Sequence, residues 1–266
     1  MIKIPSSYEI IGSREKAVAI VEISENLQKK EKEIANQILA RHKNVKSVLK
    51  KISERKGVYR KRKYKLLAGD KNTEVIHKEH SCNYKLDSKL VYFSPREGTE
   101  RLRIANQVKP KETIMLMFAG IGAYAIMIAK KQPKVEKIIS VEINPSAYEY
   151  MKENIRSNKV SDKIIPILGD VKSKCKDWYR KCNRVIMPLP CDAWKFLDIA
   201  FTCLKTHGPI HMYIIERNEN IENKIKEIMN EFTNKIKRKT SYKIRKVLPY
   251  APRTHKYCID IKVLQS

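Results

Sequence analysis

The chain has 266 residues, which is long enough to bury a sizeable core in one large domain or two unequal ones. Lysine and arginine number 56 against 29 aspartate and glutamate, so the formal net charge is +27. Nucleic acid is the leading partner for a field of this sign, and a merely solvated lysine-rich surface is the alternative. No apolar run approaches the ~18 residues that span a bilayer, and the start lacks a signal peptide, so we expect a soluble, cytoplasmic protein with no membrane partner.

The cysteines and histidines give little support for a metal. The six cysteines form no Cys-x-x-Cys pair and no paired spacing typical of zinc sites, which favours reduced, structural thiols. His77, His80 and Cys82 lie close together, as do His207 and His211, but neither group is matched by a second cluster at a recognised spacing. We therefore expect no metal site.

The first third of the chain predicts a small α+β module. Strands are predicted for Ile2 to Pro5, Ala17 to Ile23, Val45 to Leu49, Val58 to Leu67 and Glu74 to Lys78. Ser24 is predicted to cap a helix that has apolar residues on one face and charged residues on the other.

The densest basic run of the chain, Tyr59 to Lys65, has aromatic residues interleaved with its charges. Alternation along a strand would place Arg60, Arg62 and Tyr64 on one face and Tyr59, Lys61, Lys63 and Lys65 on the other. One face could then contact phosphates and the other something more specific. A charged edge strand that only discourages aggregation is the alternative.

The segment Val91-Tyr92-Phe93 is predicted as a short strand, and it leads through Ser94-Pro95 into a helix. Glu100, Arg101 and Arg103 fall at the start of this helix. We expect a hinge between two domains here, with charged residues that reach a cofactor or a substrate. Ordinary surface charge at a helix start is the alternative.

The stretch from Lys111 to Pro145 predicts a strand, a glycine turn, a helix and a second strand. Ile114 to Phe118 is a short apolar run, closed by Gly120 and Gly122, which permit a sharp turn and a close approach to the backbone. The second strand ends on Glu142, about twenty residues beyond the glycines, where an acidic side chain meets ribose hydroxyls in nucleotide-binding folds.

The remaining strands complete a predicted seven-stranded sheet with intervening helices. Ile164 to Leu168 ends at Asp170, which we expect in the same crevice as Glu142 because the carboxyl ends of parallel strands share one edge. An aspartate in an ordinary strand-end turn is the alternative. The later strands are Arg184 to Met187, which Pro188-Leu189-Pro190 stops, Ile210 to Ile215, Tyr242 to Val247 and Tyr257 to Val263.

Two cofactors fit this pattern. Gly120-x-Gly122-x-x-Ala125 is compatible with the dinucleotide fingerprint, so an NAD enzyme stays open. The Phe-Ala-Gly-Ile-Gly form of the turn, Asp170 and the proline-bounded end of the fourth strand favour S-adenosylmethionine, which has one nucleoside and no pyrophosphate. Transfer of its methyl group needs a positioned nucleophile and a way to remove that nucleophile's proton.

Several motifs together resemble one family, the archaeal and eukaryotic tRNA methyltransferases that act on guanosine 37, with their relatives in wyosine-base synthesis. The matching stretches are Ile4-Pro5, Tyr8 to Gly12, Gly57-x-Tyr59-Arg60-x-Arg62, Leu67-Ala68-Gly69, His77-Lys78-Glu79, Tyr92 to Arg96, Thr99-Glu100-Arg101, Met117 to Gly122, Val185 to Pro190 and Tyr250 to Arg253. The resemblance implies an α/β fold: a class I (Rossmann-like) methyltransferase domain over residues 91–266, with a seven-stranded sheet, preceded by a small α+β domain over residues 1–90 that contacts the tRNA anticodon arm.

The resemblance also implies roles for individual residues. The residues implied to bind S-adenosylmethionine include the two turn glycines. They are Arg101, Phe118, Gly120, Gly122, Glu142, Ile143, Asp170 and Val171. Glu100 is the implied general base, and Arg60 the group that offsets charge on the guanine carbonyl oxygen. The candidate nucleic-acid contacts are Arg60, Arg62, Lys63, Arg96 and Arg253. We expect a monomer.

Two departures from the family pattern affect the expected reaction. The family usually begins with a further small domain, for which this sequence has no room, so we expect the grip on tRNA to depend more on the basic surface. Pro188 stands where the guanosine enzymes have asparagine, which removes an amide near the target base. This favours, or adds, methylation of 4-demethylwyosine at C7. Aminocarboxypropyl transfer to the same base and a non-catalytic tRNA-binding module are the alternatives.

Overall fold

The computed structural model describes residues 8–54, 57–60 and 62–264, which form two sheets and a separate hairpin. The first sheet contains β1 (Tyr8–Gly12), β2 (Ala17–Val21), β3 (Val45–Lys51) and β4 (Tyr64–Gly69), in that spatial order. Strands β2 and β3 are parallel, and helix α1 (Glu31–Arg41) connects them and packs Ile34 and Ile38 onto the sheet. This is the small α+β module that the sequence predicted.

Three local predictions in this half are wrong, and one lies outside the described residues. Residues 57–60 form a turn, closed by a hydrogen bond from the Arg60 N–H to the Gly57 carbonyl, and β4 begins only at Tyr64. Arg60 and Arg62 therefore do not alternate along one strand. Ser24 precedes a 3₁₀ turn and makes no side-chain cap, and Val91 to Phe93 belongs to no strand. The strand predicted for Ile2 to Pro5 cannot be compared.

A hairpin, β5 (Val75–Glu79) and β6 (Cys82–Leu86), joins the two halves. Its outer strand is held by helix α4 (Pro145–Ser157): the side-chain amides of Asn154 and Asn158 bond to the backbone N–H and carbonyl groups of Lys85 and Asn83, in place of a neighbouring strand. The hairpin is thus anchored to the second half of the chain. The predicted division at residue 90 stays a prediction.

The second sheet has seven strands in the order β12-β13-β11-β10-β7-β8-β9. Its strands are β7 (Thr113–Met117), β8 (Lys137–Glu142), β9 (Ile164–Leu168), β10 (Arg184–Met187), β11 (Gly208–Arg217), β12 (Thr240–Ala251) and β13 (Thr254–Val263). Strands β7 to β11 are parallel, and β13 runs antiparallel to both of its neighbours. The predicted seven-stranded class I sheet is confirmed.

Helices cover both faces of this sheet. Because successive side chains of a strand point to opposite faces, each strand packs against both layers of helices. Ile114 and Leu116 pack toward α2 (Gly98–Ala105), α3 (Ala123–Lys131) and α4, while Met115 and Met117 pack toward the side of α6 (Leu197–Cys203) and α7 (Ile221–Ile236). A short helix, α5 (Val171–Lys174), follows β9. The carboxyl ends of β7 to β11 are thereby placed along one open edge, where sheets of this kind bind ligands.

None of the helices in the described part of the chain has the length and apolar content that crossing a membrane requires.

Candidate active site

The turn after β7 brings the backbone to the wall of a cavity. Phe118, Gly120 and Gly122 have positive φ angles of 56°, 57° and 83°. A Cβ added to Gly120 would meet nothing within 4 Å, whereas one added to Gly122 would lie 2.9 Å from Cγ of Met151. Gly120 therefore borders open space, and Gly122 is the residue whose missing side chain lets α4 approach the turn.

Glu142 at the end of β8 is held by two backbone N–H groups. Its Oε2 accepts from Gly120 at 2.7 Å and its Oε1 from Asn144 at 2.8 Å, and the residue is 8% exposed. Burial raises the pKa of the Glu142 carboxyl, against the opposing effect of the surrounding N–H groups. Each carboxylate oxygen can accept more than one hydrogen bond, so Glu142 can also accept from hydroxyl donors in the cavity.

Asp170 lies beyond β9 on the same edge. It caps α5 by accepting from the Lys172 N–H at 2.8 Å, and it remains exposed. Of the predicted cofactor-binding residues, those that line the cavity are Phe118, Gly120, Glu142, Ile143, Asp170 and Val171. The strand ends that the sequence pattern pointed to are therefore brought together in one place.

An aromatic residue that the sequence did not reveal completes this end of the cavity. Phe196 packs edge-on against Phe118, with ring centroids 5.1 Å apart and an interplanar angle of 74°. It lies in a 3₁₀ turn after β10, in a segment whose sequence reads as an ordinary helix start. The contact depends on tertiary packing, so no local pattern could have identified it.

The cavity has a volume of about 850 Å³ and extends past β10 toward β11 and β13. Pro188, Leu189 and Pro190 line its middle, and the Ile215 N–H of β11 donates to the Pro190 carbonyl at 3.0 Å. Two prolines at the end of β10 direct the chain out of the sheet, because proline cannot continue a central strand. This volume is in the range of ligand-binding clefts.

An ion pair that no sequence pattern indicated lies at the end of the cavity away from Glu142. Nζ of Lys256 is 2.9 Å from Oε1 of Glu97, and their side chains are 3% and 5% exposed. The Tyr92 hydroxyl donates to the same Oε1 at 2.7 Å. All three residues line the cavity.

Glu100 and Arg101, by contrast, do not line it. Glu100 is bound by Arg103 and accepts from the Tyr213 hydroxyl at 2.6 Å. Arg101 makes a bidentate ion pair with Glu79, at 2.7 Å for each bond, and ties the hairpin to α2. Their predicted roles as general base and cofactor ligand stay predictions, without support from the cavity's lining.

The predicted nucleic-acid contacts are divided between the mouth of the cavity and the surface. Arg60, Arg62 and Arg96 line the cavity; Arg60 donates to Sγ of Cys191 at 2.9 Å, and Arg96 donates to the Pro249 carbonyl at 3.0 Å. Lys63 and Arg253 are exposed outside it.

Within the described residues, His211, Cys258 and Asp260 form the one cluster with the spacing of a metal site. Their side chains are occupied: Arg184 donates to Nε2 of His211 at 2.7 Å, Nδ1 of His211 lies 2.6 Å from Asp260, and Arg103 bonds to Asp260. Burial lowers the pKa of His211. The lowered pKa favours the neutral ring, which accepts from Arg184 at Nε2 and donates to Asp260 from Nδ1. Two guanidinium groups beside the ligands disfavour a cation, so we assign the cluster a structural role.

Comparison with known proteins gives two family matches. A model described as the TRM5/TYW2 methyltransferase domain matches residues 75–245, and one described as the TYW2 N-terminal domain matches residues 1–73. The chain is 39% identical over 265 residues to tRNA (guanine(37)-N(1))-methyltransferase Trm5b of Pyrococcus abyssi, covering 98% of this chain and 76% of that protein.

Relatives with other named reactions are almost as similar. Identity is 36% over 231 residues to tRNA 4-demethylwyosine(37)-methyltransferase Taw21 of Saccharolobus solfataricus, covering 86% of this chain and 84% of that one. Identity is also 36% over 220 residues to a tRNA(Phe) (4-demethylwyosine(37)-C(7)) aminocarboxypropyltransferase of Methanocaldococcus jannaschii, covering 82% of this chain and 86% of that one.

Two solved structures have the same fold over nearly the whole chain. The complex of aTrm5 and tRNALeu superposes with a TM-score of 0.84 at 36% identity, covering 98% of this chain and 73% of that one. The complex of M. jannaschii TYW2 with AdoMet superposes with a TM-score of 0.74 at 30% identity, covering 98% of this chain and 100% of that one.

Proposed function

We propose that this chain, which belongs to the TRM5/TYW2 methyltransferase family, transfers a methyl group from S-adenosylmethionine to the purine at position 37 of tRNA. The acceptor atom is N1 of guanosine, C7 of 4-demethylwyosine, or both, which places the protein in wyosine-base synthesis. The observation that carries this proposal is that one continuous cavity runs from Glu142 on β8 to Lys256 on β13.

The geometry of the sheet separates the two ends of this cavity. Strands β8 and β13 are four positions apart in the sheet, and at about 4.8 Å per strand the separation is roughly 19 Å. That span accommodates a nucleoside cofactor over β7 to β9 and a purine base over β10 to β13. The Pro188 to Pro190 turn then lies where donor and acceptor meet.

The cavity end at β7 to β9 fits S-adenosylmethionine. Glu142 and Asp170 offer carboxylates to the ribose and other polar groups, while Phe118 and Phe196 offer apolar contact. Beside Gly120, the space that a Cβ would occupy is empty, so a ligand can approach the backbone. When bound, the cofactor supplies an activated methyl group on a positive sulfur, and the protein's part is to position the acceptor and manage its proton.

The mouth of the cavity fits RNA. Arg60 and Arg96 bring positive charge to it, whereas the Arg62 side chain is 9% exposed and pairs with Glu54. The net charge of +27 adds a long-range attraction to phosphates. The Tyr59 and Tyr250 side chains are 45% and 57% exposed at the same place, where aromatic rings can stack on unpaired bases.

Gly120 and Gly122 offer a matched test of the cofactor position. Both substitutions by alanine carry the cost of a left-handed backbone, about 1 kcal/mol. We expect Gly120→Ala to lower the affinity for S-adenosylmethionine by about 10-fold or more, because its Cβ projects into the cavity. Gly122→Ala should mainly lower the thermal midpoint, because its Cβ meets Met151. Calorimetric titration and thermal unfolding measure the two effects, and the reverse pattern would place the cofactor elsewhere.

Aminocarboxypropyl transfer is the second candidate, and the 36% identity to an enzyme named for that reaction favours it. The two reactions differ in which carbon of the sulfonium faces the base, so the mass of the modified nucleoside separates them. We expect methylation.

The deciding experiment incubates the protein with methyl-labelled S-adenosylmethionine and with tRNA transcripts that carry guanosine or 4-demethylwyosine at position 37. Label should appear on nucleoside 37 of at least one transcript, and mass spectrometry should identify a methyl group. Cofactor binding without label on either transcript would support a non-catalytic tRNA-binding module instead.

A further inference from the structure

Basic side chains collect at the edge of the seven-stranded sheet that lies opposite the cavity. Strands β7 to β11 all begin at this edge because they are parallel. Strand β12 begins there too, since Thr240 pairs with Val263 and Val263 pairs with Gly208. We call it the amino edge and define it by five segments that lead into these strands: residues 109–112, 130–137, 159–163, 205–207 and 237–239.

The segments of the amino edge are neighbours in space. The Lys111 N–H donates to the Lys134 carbonyl at 2.7 Å, and the Ile138 N–H donates to the Lys163 carbonyl at 2.8 Å. Arg238 donates to the Thr206 carbonyl at 3.1 Å. Stretches far apart in the sequence therefore present their side chains on one surface.

Cations outnumber anions at the amino edge more strongly than in the whole chain. The five segments contain 12 lysines and arginines and three acidic residues, against 56 and 29 in the whole sequence. One of the three acids, Glu112, is buried and paired with Arg184, so Glu136 and Asp162 are the exposed ones. The lysine content of the sequence alone does not account for this imbalance.

The lysines of the amino edge lack acidic partners, unlike many lysines elsewhere. In the first sheet, Lys50 and Lys65 both pair with Glu31. Among the amino-edge lysines that the structure describes, only Lys163 has an ion pair, at 3.7 Å from Asp162. The positive charge of this surface is therefore not neutralised within the protein and is available to a polyanion.

The amino edge is long and is separate from the cavity. From β9 to β13 there are five strand spacings of about 4.8 Å, which gives roughly 24 Å. Strand β7 has five residues at about 3.3 Å each, so about 16 Å of sheet separates the lysines before it from the glycine turn after it. A ligand at the amino edge and a ligand in the cavity therefore occupy opposite sides of the sheet.

The composition of this surface fits duplex RNA. A duplex is recognised mainly through phosphates and ribose hydroxyls, whereas single strands need aromatic side chains on which bases stack. Protein interfaces have an apolar centre from which lysine is depleted. In the five segments, all of which the structure describes, no aromatic or large aliphatic side chain is exposed. The amino edge therefore has the charges that phosphates require and lacks the groups that the other two partners require.

We propose that the amino edge binds a stretch of duplex RNA other than the tRNA whose nucleotide 37 enters the cavity. The protein holds this duplex through lysine–phosphate contacts, so the contact is independent of base sequence and weakens steeply with salt. It goes beyond the proposed function because it requires neither the cavity nor the cofactor.

The test compares two variants with the same net charge. The amino-edge variant combines Lys109→Gln, Lys130→Gln, Lys134→Gln and Lys205→Gln. The control variant combines Lys29→Gln, Lys30→Gln, Lys32→Gln and Lys226→Gln, which are exposed positions of the 3₁₀ turn before α1, of α1 and of α7. Fluorescence anisotropy measures the binding of a labelled RNA duplex of about 16 base pairs over a series of salt concentrations.

The amino-edge variant should bind the duplex about 10-fold more weakly than the wild type. The slope of log K against log salt concentration should become shallower by about 3–4, since each lost phosphate contact changes it by about 0.9. The control variant should keep the wild-type affinity and slope. Both variants should keep the wild-type kcat/KM for a tRNA transcript and for an isolated anticodon stem-loop.

Three results would overturn the inference. Equal duplex affinity of the two variants would show that the lysines are only solvated. A loss of kcat/KM by the amino-edge variant on the full tRNA, but not on the stem-loop, would assign this surface to the body of the substrate. Displacement of the duplex by polyglutamate of matched charge at an equal concentration would indicate an acidic protein partner. The labelled-transcript experiment tests the proposed function separately, so each proposal can fail without the other.

Discussion

Asp260→Asn is expected to lower the free energy of unfolding by about 2–3 kcal/mol, because hydrogen bonds to a charged group contribute about 1.5–3 kcal/mol each and Arg103 keeps its ion pair with Glu100. Asp260 accepts from Arg103 at 2.7 Å and lies 2.6 Å from Nδ1 of His211, which Arg184 holds from the other side. An asparagine would leave the Arg103 charge without its second carboxylate partner. Urea denaturation measures the loss, with the exposed Asp162→Asn as the control.

The same carboxylate predicts a pH dependence of stability. Burial raises the pKa of Asp260, but the hydrogen bonds from His211 and Arg103 outweigh burial and hold it far below its ordinary value. A depressed pKa contributes stability that is present above the unfolded pKa, about 3.9, and lost as the pH falls below it. Wild-type stability should therefore decrease below about pH 4 more steeply than that of Asp260→Asn, and parallel acid-unfolding curves would contradict this assignment.

Glu142→Ala should reduce the affinity for S-adenosylmethionine by about 100-fold, or about 2.7 kcal/mol. Hydrogen bonds to a charged partner contribute about 1.5–3 kcal/mol each, and the ribose has two hydroxyls to donate. The N–H groups of Gly120 and Asn144 would also lose their acceptor, which loosens the turn that borders the cavity. Calorimetric titration measures the change.

Asp162→Ala is the matched control for Glu142→Ala, because it removes an exposed carboxylate just before β9, at the end of the sheet opposite Asp170. Its affinity for the cofactor should equal that of the wild type. If Glu142→Ala bound within about threefold of the wild type while remaining folded, the ribose would not be held at β8.

The central sheet could be predicted from the sequence because its signals are local. Ile164–Leu168 and Arg184–Met187 are short apolar runs bounded by breakers, and both have the predicted limits in the structure. The positions of Glu142 and Asp170 in one cavity follow from the rule that parallel strands end on the same edge.

Elements that depend on distant contacts could not be predicted. Strand β6 reads as polar, and it is stabilised by the side chains of Asn154 and Asn158 from a remote helix. The turn at residues 57–60 interrupts a run whose composition alone suggests a strand, because Gly57 and Arg60 adopt left-handed backbone angles.

The two glutamates at the start of α2 show the same limit in the site. Glu97 and Glu100 are one helical turn apart, and their sequence context does not tell which one faces the cavity. In the structure Glu97 precedes α2, lines the cavity and meets Lys256, whereas Glu100 lies within α2 and meets Arg103 and Tyr213. Only the fold brings β13 beside the start of α2.

The most direct measurement is a crystal structure of the protein with S-adenosylhomocysteine and an anticodon arm that carries guanosine 37. We expect ribose hydroxyls on the Glu142 carboxylate and the guanine over the Pro188 to Pro190 turn. A cofactor bound away from Gly120, or a guanine held outside the cavity, would contradict this expectation.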